Sequence, residues 1–448
     1  MARRAPRSLS DRARASSRSP AGARWSSLGA AGLGAVLGGL AGGFLVVGVT
    51  LVLKAGIDIA STQGTWFVLT VPPLGLLLSI LTLHGFCTAP HDPRARPWRT
   101  FPPDVARADI SADVVASAGQ EERFPWRLAP IRAVAILTTV GLGGAMGTEA
   151  PAAYFGVAAG VFLGDRGQRW RRVLRPAALA GGSAGVAALM GIPLVGTAFM
   201  LELGRRRRAP FSAERVLVAL IGGAIGWGID TVFGFSLIRL VVPKEAPGTF
   251  AQALITALFI GAASGAISAA AAGAVYKAKK WKAAPALRLA LGAGATIVIA
   301  LILAKIAIPS AAVGPGGGAI LWAEAVDPRP LTVLAVCLLR AAATTAAVTA
   351  GGCGGVFVPF LAIGDLAGRV FAPGLRVGHD LAGAAGAAGG IAAGYRLPFT
   401  AAFMVLGVGG PPRATLTCLA TIVSAWAVAD LANASLARLG LIPTGREA

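Results

Sequence analysis

Charged residues are scarce in this 448-residue chain. Asp, Glu, Lys and Arg together make up 14 % of it and hydrophobic residues 55 %, whereas a soluble domain carries roughly 25 % charged residues. The hydrophobicity excludes a disordered chain, and the lack of a Gly-X-Y period excludes collagen despite 61 glycines and 28 prolines. One class remains, and we predict an all-α polytopic membrane protein.

Metal-binding side chains are also few, with 4 cysteines and 3 histidines. The cysteines lie far apart and mostly in apolar surroundings, which favours small buried residues over disulfides or ligands. No two histidines have ligand spacing, and no nucleophile has a base in a recognisable motif. We therefore expect no metal, no cofactor and no enzymatic activity.

Basic residues outnumber acidic ones by 41 to 20, which gives a net charge of +21. In a soluble protein this excess would suggest a nucleic-acid partner. Here the basic residues cluster beside apolar runs, as cytoplasmic loops of membrane proteins do. One such cluster, Lys277–Lys282, is interpreted as charge facing lipid headgroups. We expect membrane lipid as a partner and no nucleic acid.

The first residues form a basic tail that contains seven arginines before Trp25. The apolar run that follows, Ser27 to Leu53, is too long for a cleavable signal peptide and suits a membrane span. We expect a cytoplasmic tail at 1–26, a transmembrane domain at 27–438 with a polar loop at 91–129, and a short tail at 439–448. The chain is predicted to cross the cell membrane several times, with both termini cytoplasmic and no C-terminal regulatory domain.

Several apolar runs are shorter than the ~20 residues that a membrane-spanning helix needs. The run from Pro176 to Leu203 has arginines on both sides. Because arginine clusters mark the cytoplasmic side, both ends are expected on that side, and the run is not a single membrane crossing. Gly191-Ile-Pro193 interrupts it. We predict two half-length helices here. Broken helices whose ends face an internal site are typical of transporters.

Glu149 is the sharpest candidate for function, because an ionisable residue in an apolar run is expensive to insert. It lies between a glycine-rich stretch and Pro151, which suits the first turn of a helix. A carboxylate at a helix N-terminus can occupy an anion site, and on protonation or displacement it leaves that site to a dissolved anion. The alternative is a charge that only stabilises the helix.

The second candidate is the glycine run at 351–355, which precedes a helix expected to begin near Val356 and Phe357. Backbone N–H groups of Val356 and Phe357 can form a concave anion site without placing a cation in the membrane. Helix packing is the alternative reason for such glycines. Glu202, beside Arg205, is interpreted as an interfacial ion pair or a proton relay, and Arg340 as a donor to helix-end carbonyls or a carboxylate.

At these positions the chain resembles the CLC family of chloride channels and chloride/proton antiporters. Gly147-Thr-Glu-Ala-Pro151 is similar to the family's Gly-Arg/Lys-Glu-Gly-Pro motif, with Thr148 and Ala150 substituted. The stretch from Gly355 to Gly364 matches its Gly-x-Phe-x-Pro-x-Leu-x-x-Gly motif. Two further similar segments follow the family's order: Gly185–Gly196 with Phe199 and Glu202 after it, and Arg396–Thr400.

The resemblance, which runs from Trp126 to Arg438, implies a fold of two inverted repeats and a homodimer in which each subunit has its own pore. It implies Glu149 as the gating residue and an anion, most simply chloride, bound at Gly355, Val356 and Phe357. Membership would also allow CBS domains, which we do not expect after residue 438.

Some family positions are substituted. The pore serine motif is missing: alignment without gaps places Ala108 at the serine, and Ser111 is the nearest hydroxyl and thus a candidate anion ligand. The late pore tyrosine has no match, since Ala432 falls near its place and Tyr395 lies elsewhere in the sequence. Leu203 stands at the inner proton-transfer glutamate, directly after Glu202, which is the candidate for the proton path.

The leading hypothesis is therefore a CLC-type chloride channel or a weakly coupled transporter, gated by Glu149, because Leu203 cannot carry a proton. A chloride/proton antiporter is the alternative, with protons as a second substrate. An unrelated secondary transporter of organic anions is a weaker hypothesis, since few polar residues lie within the apolar runs. A non-transporting scaffold is also weaker, since a scaffold has no need of a buried glutamate.

Overall fold

The computed structural model describes residues 20–85, 114, 124, 126–166, 171–174, 176–206, 209, 211–234, 240–244 and 246–438. Over these ranges the chain is almost wholly helical, and the β-structure consists of one isolated antiparallel bridge between Gly147 and Gly355. The predicted all-α class is thus confirmed.

The helices fall into two sets along the chain, divided by the long connection after residue 233. The first set is α1 (Pro20–Thr62), α2 (Thr65–Gly85), α3 (Ala129–Ile136), α4 (Glu149–Arg166), α5 (Arg171–Leu174), α6 (Ala177–Met190), α7 (Pro193–Arg206) and α8 (Ala213–Phe233). The second set is α9 (Phe250–Lys280), α10 (Pro285–Ile306), α11 (Gly317–Val326), α12 (Pro330–Thr349), α13 (Phe357–Leu375), α14 (His379–Gly390), α15 (Pro398–Val408) and α16 (Pro412–Arg438).

Eight of these helices are long and apolar enough to cross a membrane, namely α1, α2, α8, α9, α10, α12, α13 and α16. The chain is therefore a multi-pass membrane protein. Others are too short: α15 has 11 residues, which at 1.5 Å per residue spans about 16 Å of a ~30 Å hydrocarbon core. The prediction of half-length helices is confirmed.

The predicted break in the Pro176–Leu203 run lies where the sequence indicated it. Helix α6 ends at Met190, Gly191 takes the left-handed conformation with φ of 66°, and α7 begins at Pro193. Glycine adopts that conformation without the steric cost that a Cβ brings, and proline suits the first helical turn. The first apolar run gives a longer helix than predicted, because α1 continues to Thr62.

The two halves repeat one packing arrangement. In the first half α4 packs on α6, and in the second α13 packs on α14. Both crossings depend on glycine, since a Cβ on Gly156 would collide with the carbonyl of Gly181 and one on Gly364 with the carbonyl of Gly386. Close backbone approach through small residues is typical of helix packing in membranes. In each half the helix of this pair that begins at a glycine motif, α4 or α13, starts inside the protein.

Two of the buried arginines, Arg340 and Arg369, connect neighbouring segments. Arg340 on α12 donates to the carbonyls of Ala311 and Gly314, at 3.2 and 2.6 Å, as expected for a donor to backbone carbonyls. Arg369 on α13 pairs with three carboxylates, which come from three helices: Asp365 at 2.7 Å, Glu324 at 2.9 Å and Asp380 at 3.0 Å.

Candidate functional site

A short backbone bridge brings the two glycine motifs together. The N–H of Gly147 donates to the carbonyl of Gly355 and the N–H of Gly355 to the carbonyl of Gly147, both at 2.7 Å. The bridge lies directly before α4 in one motif and directly before α13 in the other. It therefore fixes two helix N-termini side by side. The N–H groups of both first turns, which have no acceptor within their own helix, lie near one point.

Glu149 is the first residue of α4, and its side chain lies at this junction. The residue is only 2 % exposed. One carboxylate oxygen, Oε2, accepts a hydrogen bond from the N–H of Val358 at 3.4 Å, and the other, Oε1, accepts one from the hydroxyl of Thr148 at 3.1 Å. The carboxylate of α4 thus sits on the N-terminus of α13, where the helix dipole favours negative charge.

Gly147 provides the room for this carboxylate. A Cβ on Gly147 would lie 2.5 Å from Oε2 of Glu149 and 3.0 Å from Cδ of Pro359. Any larger residue would therefore displace the Glu149 side chain from its present position. The small residue that the motif places two positions before the glutamate is explained by this contact.

The predicted anion residues Gly355, Val356 and Phe357 are all buried and lie at the start of α13, as the sequence indicated. The N–H that holds the carboxylate, however, belongs to Val358, one residue beyond the predicted pair. Val356 is the residue that precedes the helix, so Val358 is at its second position, where N–H groups have no acceptor within the helix. The roles of Gly355, Val356 and Phe357 as anion ligands stay predictions.

Three aromatic rings lie against this helix start. The ring of Phe357 is 5.6 Å from that of Tyr395 and 5.9 Å from that of Phe199, and the rings of Phe199 and Tyr395 stack at 6.1 Å. Tyr395 ends a π-helical segment, Ile391–Tyr395. Sequence reasoning placed Tyr395 away from the site, but the fold brings a tyrosine ring to it. The signal in the sequence that could have placed Tyr395 at the site is its position directly before the motif segment that begins Arg396-Leu-Pro398.

Ala432, which falls near the expected position of the late tyrosine, lies close to the same segment. It packs against a small alanine cluster that includes Ala393, two residues before Tyr395. The π-helical segment and α16 thus meet at this side of the site. Tyr395 belongs to the π-helical segment, whereas the family resemblance places the tyrosine on α16, near Ala432.

Glu202 repeats the arrangement of Glu149 at another helix start. Its Oε1 accepts from the N–H of Phe399 at 2.9 Å, and its Oε2 accepts from the N–H of Thr400 at 2.7 Å and also from the Thr400 hydroxyl. A half-buried carboxylate thus caps the N-terminus of α15. Phe199 lies one turn before Glu202 on α7, so the aromatic rings connect the surroundings of the two carboxylates. Neither the interfacial pairing nor the proton role predicted for Glu202 is decided by these contacts.

Ser111 and Ala108 lie outside the described residues, so the role of Ser111 as an anion ligand stays a prediction. Three cysteines, Cys337, Cys353 and Cys418, are buried, as their apolar surroundings indicated. Within the described ranges, no group of three or more His, Cys, Asp or Glu side chains is placed to hold a metal ion. What the site can do chemically follows from its N–H groups: it can hold a small anion or a carboxylate in turn.

Comparisons with known proteins agree with this fold. No curated protein sequence matches the chain. Among solved structures, a slow cyanobacterial Cl⁻/H⁺ antiporter is similar with a TM-score of 0.69 and 20 % identity, over 93 % of this chain and 99 % of that one. A CLC-type fluoride/proton antiporter has a TM-score of 0.68 and 22 % identity, over 92 % of this chain and 97 % of that one.

A eukaryotic CLC transporter is similar over 92 % of this chain and 73 % of that one, with a TM-score of 0.61 and 15 % identity. The sequence model described as voltage gated chloride channel matches residues 98–430, which includes both glycine motifs and Glu202. These residues are most of the chain, and the chain belongs to the voltage-gated chloride channel (CLC) family.

Proposed function

We propose that this chain transports a small anion across the membrane through a pathway that Glu149 opens and closes. One observation carries the proposal: the Glu149 carboxylate occupies the N-terminus of α13 and accepts a hydrogen bond from Val358 N–H at 3.4 Å. A dissolved anion needs the same N–H groups. The carboxylate and the anion therefore compete, and protonation or movement of Glu149 leaves the position to the anion.

The contacts of Glu149 within the described part of the chain suit transport, because they are polar groups without a positive charge. Its partners are a backbone N–H and the Thr148 hydroxyl. Conduction requires binding that is favourable enough for entry and weak enough for release. Amide dipoles meet both requirements better than a buried Lys or Arg would.

We propose chloride as the anion. The solved structures similar to this chain include one described as a Cl⁻/H⁺ antiporter and one described as a fluoride/proton antiporter. Fluoride is thus the competing anion in any assay, since a helix N-terminus by itself accepts either ion. Family membership argues against an unrelated carrier of organic anions.

Weak or absent proton coupling is the form of transport that we propose, with chloride/proton antiport as the alternative. The inner position next to Glu202 is Leu203, a residue that carries no proton. Glu202 itself is engaged by two N–H groups and a hydroxyl at the start of α15. These donors bond both carboxylate oxygens and hold the side chain at the start of α15.

The remaining proposals concern the setting of the protein. We propose that the chain lies in the cell membrane with both termini cytoplasmic, that it forms a homodimer with one pathway in each subunit, and that it catalyses no chemical reaction. The mass of the purified protein in detergent, measured by light scattering, tests the dimer.

The experiment is flux from liposomes loaded with chloride, recorded with an ion-selective electrode at several pH values together with the external pH. Flux in the parent protein is expected to rise as the pH falls, because a protonated Glu149 no longer competes for the N–H groups. Glu149→Gln is expected to give high flux at every pH. Glu214→Gln, which removes an exposed glutamate from the first turn of α8, is the matched control and should behave as the parent.

Two results would overturn the proposal. Flux and pH dependence in Glu149→Gln equal to those of the parent would remove the gating role. Proton movement against the chloride gradient at a fixed ratio, abolished by Glu202→Gln, would replace weak coupling with antiport. Exchange of the loaded anion for fluoride in the same assay decides which halide the pathway favours.

A further inference from the structure

An apolar groove lies between three membrane-spanning helices, away from Glu149. Helices α9, α10 and α12 enclose a cavity of about 750 Å³, which is lined almost entirely by alanine and other apolar side chains. Leu291 and Leu338 on its walls are each 52 % exposed, so the groove opens outward. Small residues such as Ala295 line it, so the space between the helices is left open instead of being filled by side chains.

The groove has the length of one lipid leaflet. Its wall on α12 runs from Leu338 to Thr349, which at 1.5 Å per residue is about 16 Å. Half of a ~30 Å hydrocarbon core is about 15 Å. The groove ends at Trp281, the residue after α9, and tryptophan is enriched where the membrane meets water. The groove therefore reaches from one membrane interface to about the bilayer midplane.

The interfacial end of the groove is strongly basic. Lys277, Lys280 and Lys282 are all exposed and lie around Trp281, and Lys280 is held 4.6 Å above the ring of Tyr276. Three helix ends meet here, because α9 and α12 end and α10 begins. Arg288 joins them by donating to the carbonyls of Ala278 at 3.4 Å, Val348 at 3.2 Å and Thr349 at 3.0 Å.

We propose that this groove binds one anionic phospholipid, with an acyl chain between α9, α10 and α12 and the phosphate headgroup on Lys277, Lys280 and Lys282. Exposed basic residues next to a crevice between spanning helices have the charge that an acidic headgroup needs. Arg288 is bonded to backbone carbonyls, so the charge for the headgroup comes from the three lysines, of which Lys280 also lies over the Tyr276 ring. The inference does not depend on which ion the protein transports.

A second copy of this chain fits the groove less well than a lipid does. A two-fold interface would place the same surface of both copies together, so it would bring two copies of the lysine cluster around Trp281 into one interface. Like charges in that arrangement repel each other, whereas an anionic headgroup neutralises them.

Native mass spectrometry of the purified chain in detergent, titrated with phosphatidylglycerol or with phosphatidylcholine of matched acyl chains, tests the proposal. We expect one phosphatidylglycerol per chain, bound at least tenfold more tightly than phosphatidylcholine. The triple variant Lys277→Gln, Lys280→Gln, Lys282→Gln should lose that preference. Ala295→Phe, which fills the groove, should weaken both lipids. Lys305→Gln is the control, because Lys305 is an exposed lysine at the other end of α10.

Each alternative result contradicts the proposal. Equal affinity for the two lipids would show that the lysines do not select the headgroup, and an unchanged preference in the triple variant would place the lipid elsewhere. Unchanged binding in Ala295→Phe would exclude the groove. A change in oligomer mass in Ala295→Phe without loss of lipid would assign the groove to a second copy. Because the three lysines are exposed, thermal unfolding of the triple variant should match that of the parent.

Discussion

Replacing Gly147 by alanine is expected to open the proposed pathway while Glu149, its proposed gating residue, is itself left unmutated. The new Cβ would lie 2.5 Å from Oε2 of Glu149, and ordinary contact begins near 3.4 Å, so the carboxylate has to move by about 0.9 Å. Its hydrogen bond from Val358 N–H is already long at 3.4 Å. The displacement therefore breaks the bond, while the backbone bridge between Gly147 and Gly355 can persist because it uses only N–H and C=O groups.

The expected size of the effect follows from the bond that is lost. A hydrogen bond to a charged group contributes about 1.5–3 kcal/mol, which corresponds to roughly 10- to 150-fold in an equilibrium between the occupied and vacated positions. Chloride flux from liposomes at neutral pH should increase by about tenfold or more and should depend less on pH than in the parent. The increase should be larger at alkaline than at acid pH, because a carboxyl group is more often charged as the pH rises.

A matched control and a double variant isolate the cause. Gly294→Ala lies on α10, where a Cβ meets nothing within 4 Å, and it should transport as the parent does. In a Glu149→Gln background the Gly147→Ala change should add little, since it acts through Glu149 and coupled changes are not additive. Unchanged flux and pH dependence in Gly147→Ala, with normal folding, would refute the reasoning.

Variants at Thr148, Tyr395 and Arg369 test further contacts. Thr148→Val removes the hydroxyl that donates to Oε1 of Glu149, which costs about 1 kcal/mol, so flux at neutral pH should rise about fivefold in the liposome assay. Tyr395→Ala should lower the free energy of unfolding by about 3–5 kcal/mol, because its ring packs on Phe199 and Phe357, whereas Tyr395→Phe, which keeps the ring, should lower it by less. Arg369→Met leaves the buried Asp365 without the partner that lies 2.7 Å away, and a loss of about 3–5 kcal/mol is expected in thermal unfolding; addition of Asp365→Leu should recover part of it.

Much of the fold follows from patterns that the sequence states directly. Scarce charge and long apolar runs predict a multi-pass helical protein. The break at Gly191 and Pro193 is predictable because the conformations of these two residue types are constrained by their own covalent structure. The start of α4 at Glu149 follows from Pro151 in the same way.

The details of the site depend on packing between distant segments, which no local pattern contains. The amide that holds Glu149 belongs to Val358 rather than to Val356 or Phe357, since the register of α4 against α13 is set by the Gly147–Gly355 bridge. Tyr395 reaches the aromatic cluster through the π-helical segment that it ends. The capping of α15 by Glu202 likewise joins residues that are remote in sequence.

Competition between the Glu149 carboxylate and a halide for the N-terminus of α13 is the central claim. The most direct measurement is the anomalous density of bromide in crystals of Glu149→Gln and of the parent protein grown at neutral pH. The account predicts a bromide ion at the first N–H groups of α13, including that of Val358, in the variant and a weaker peak there in the parent. Bromide that avoids this helix N-terminus in Glu149→Gln, or that occupies it equally in the parent, would contradict the account.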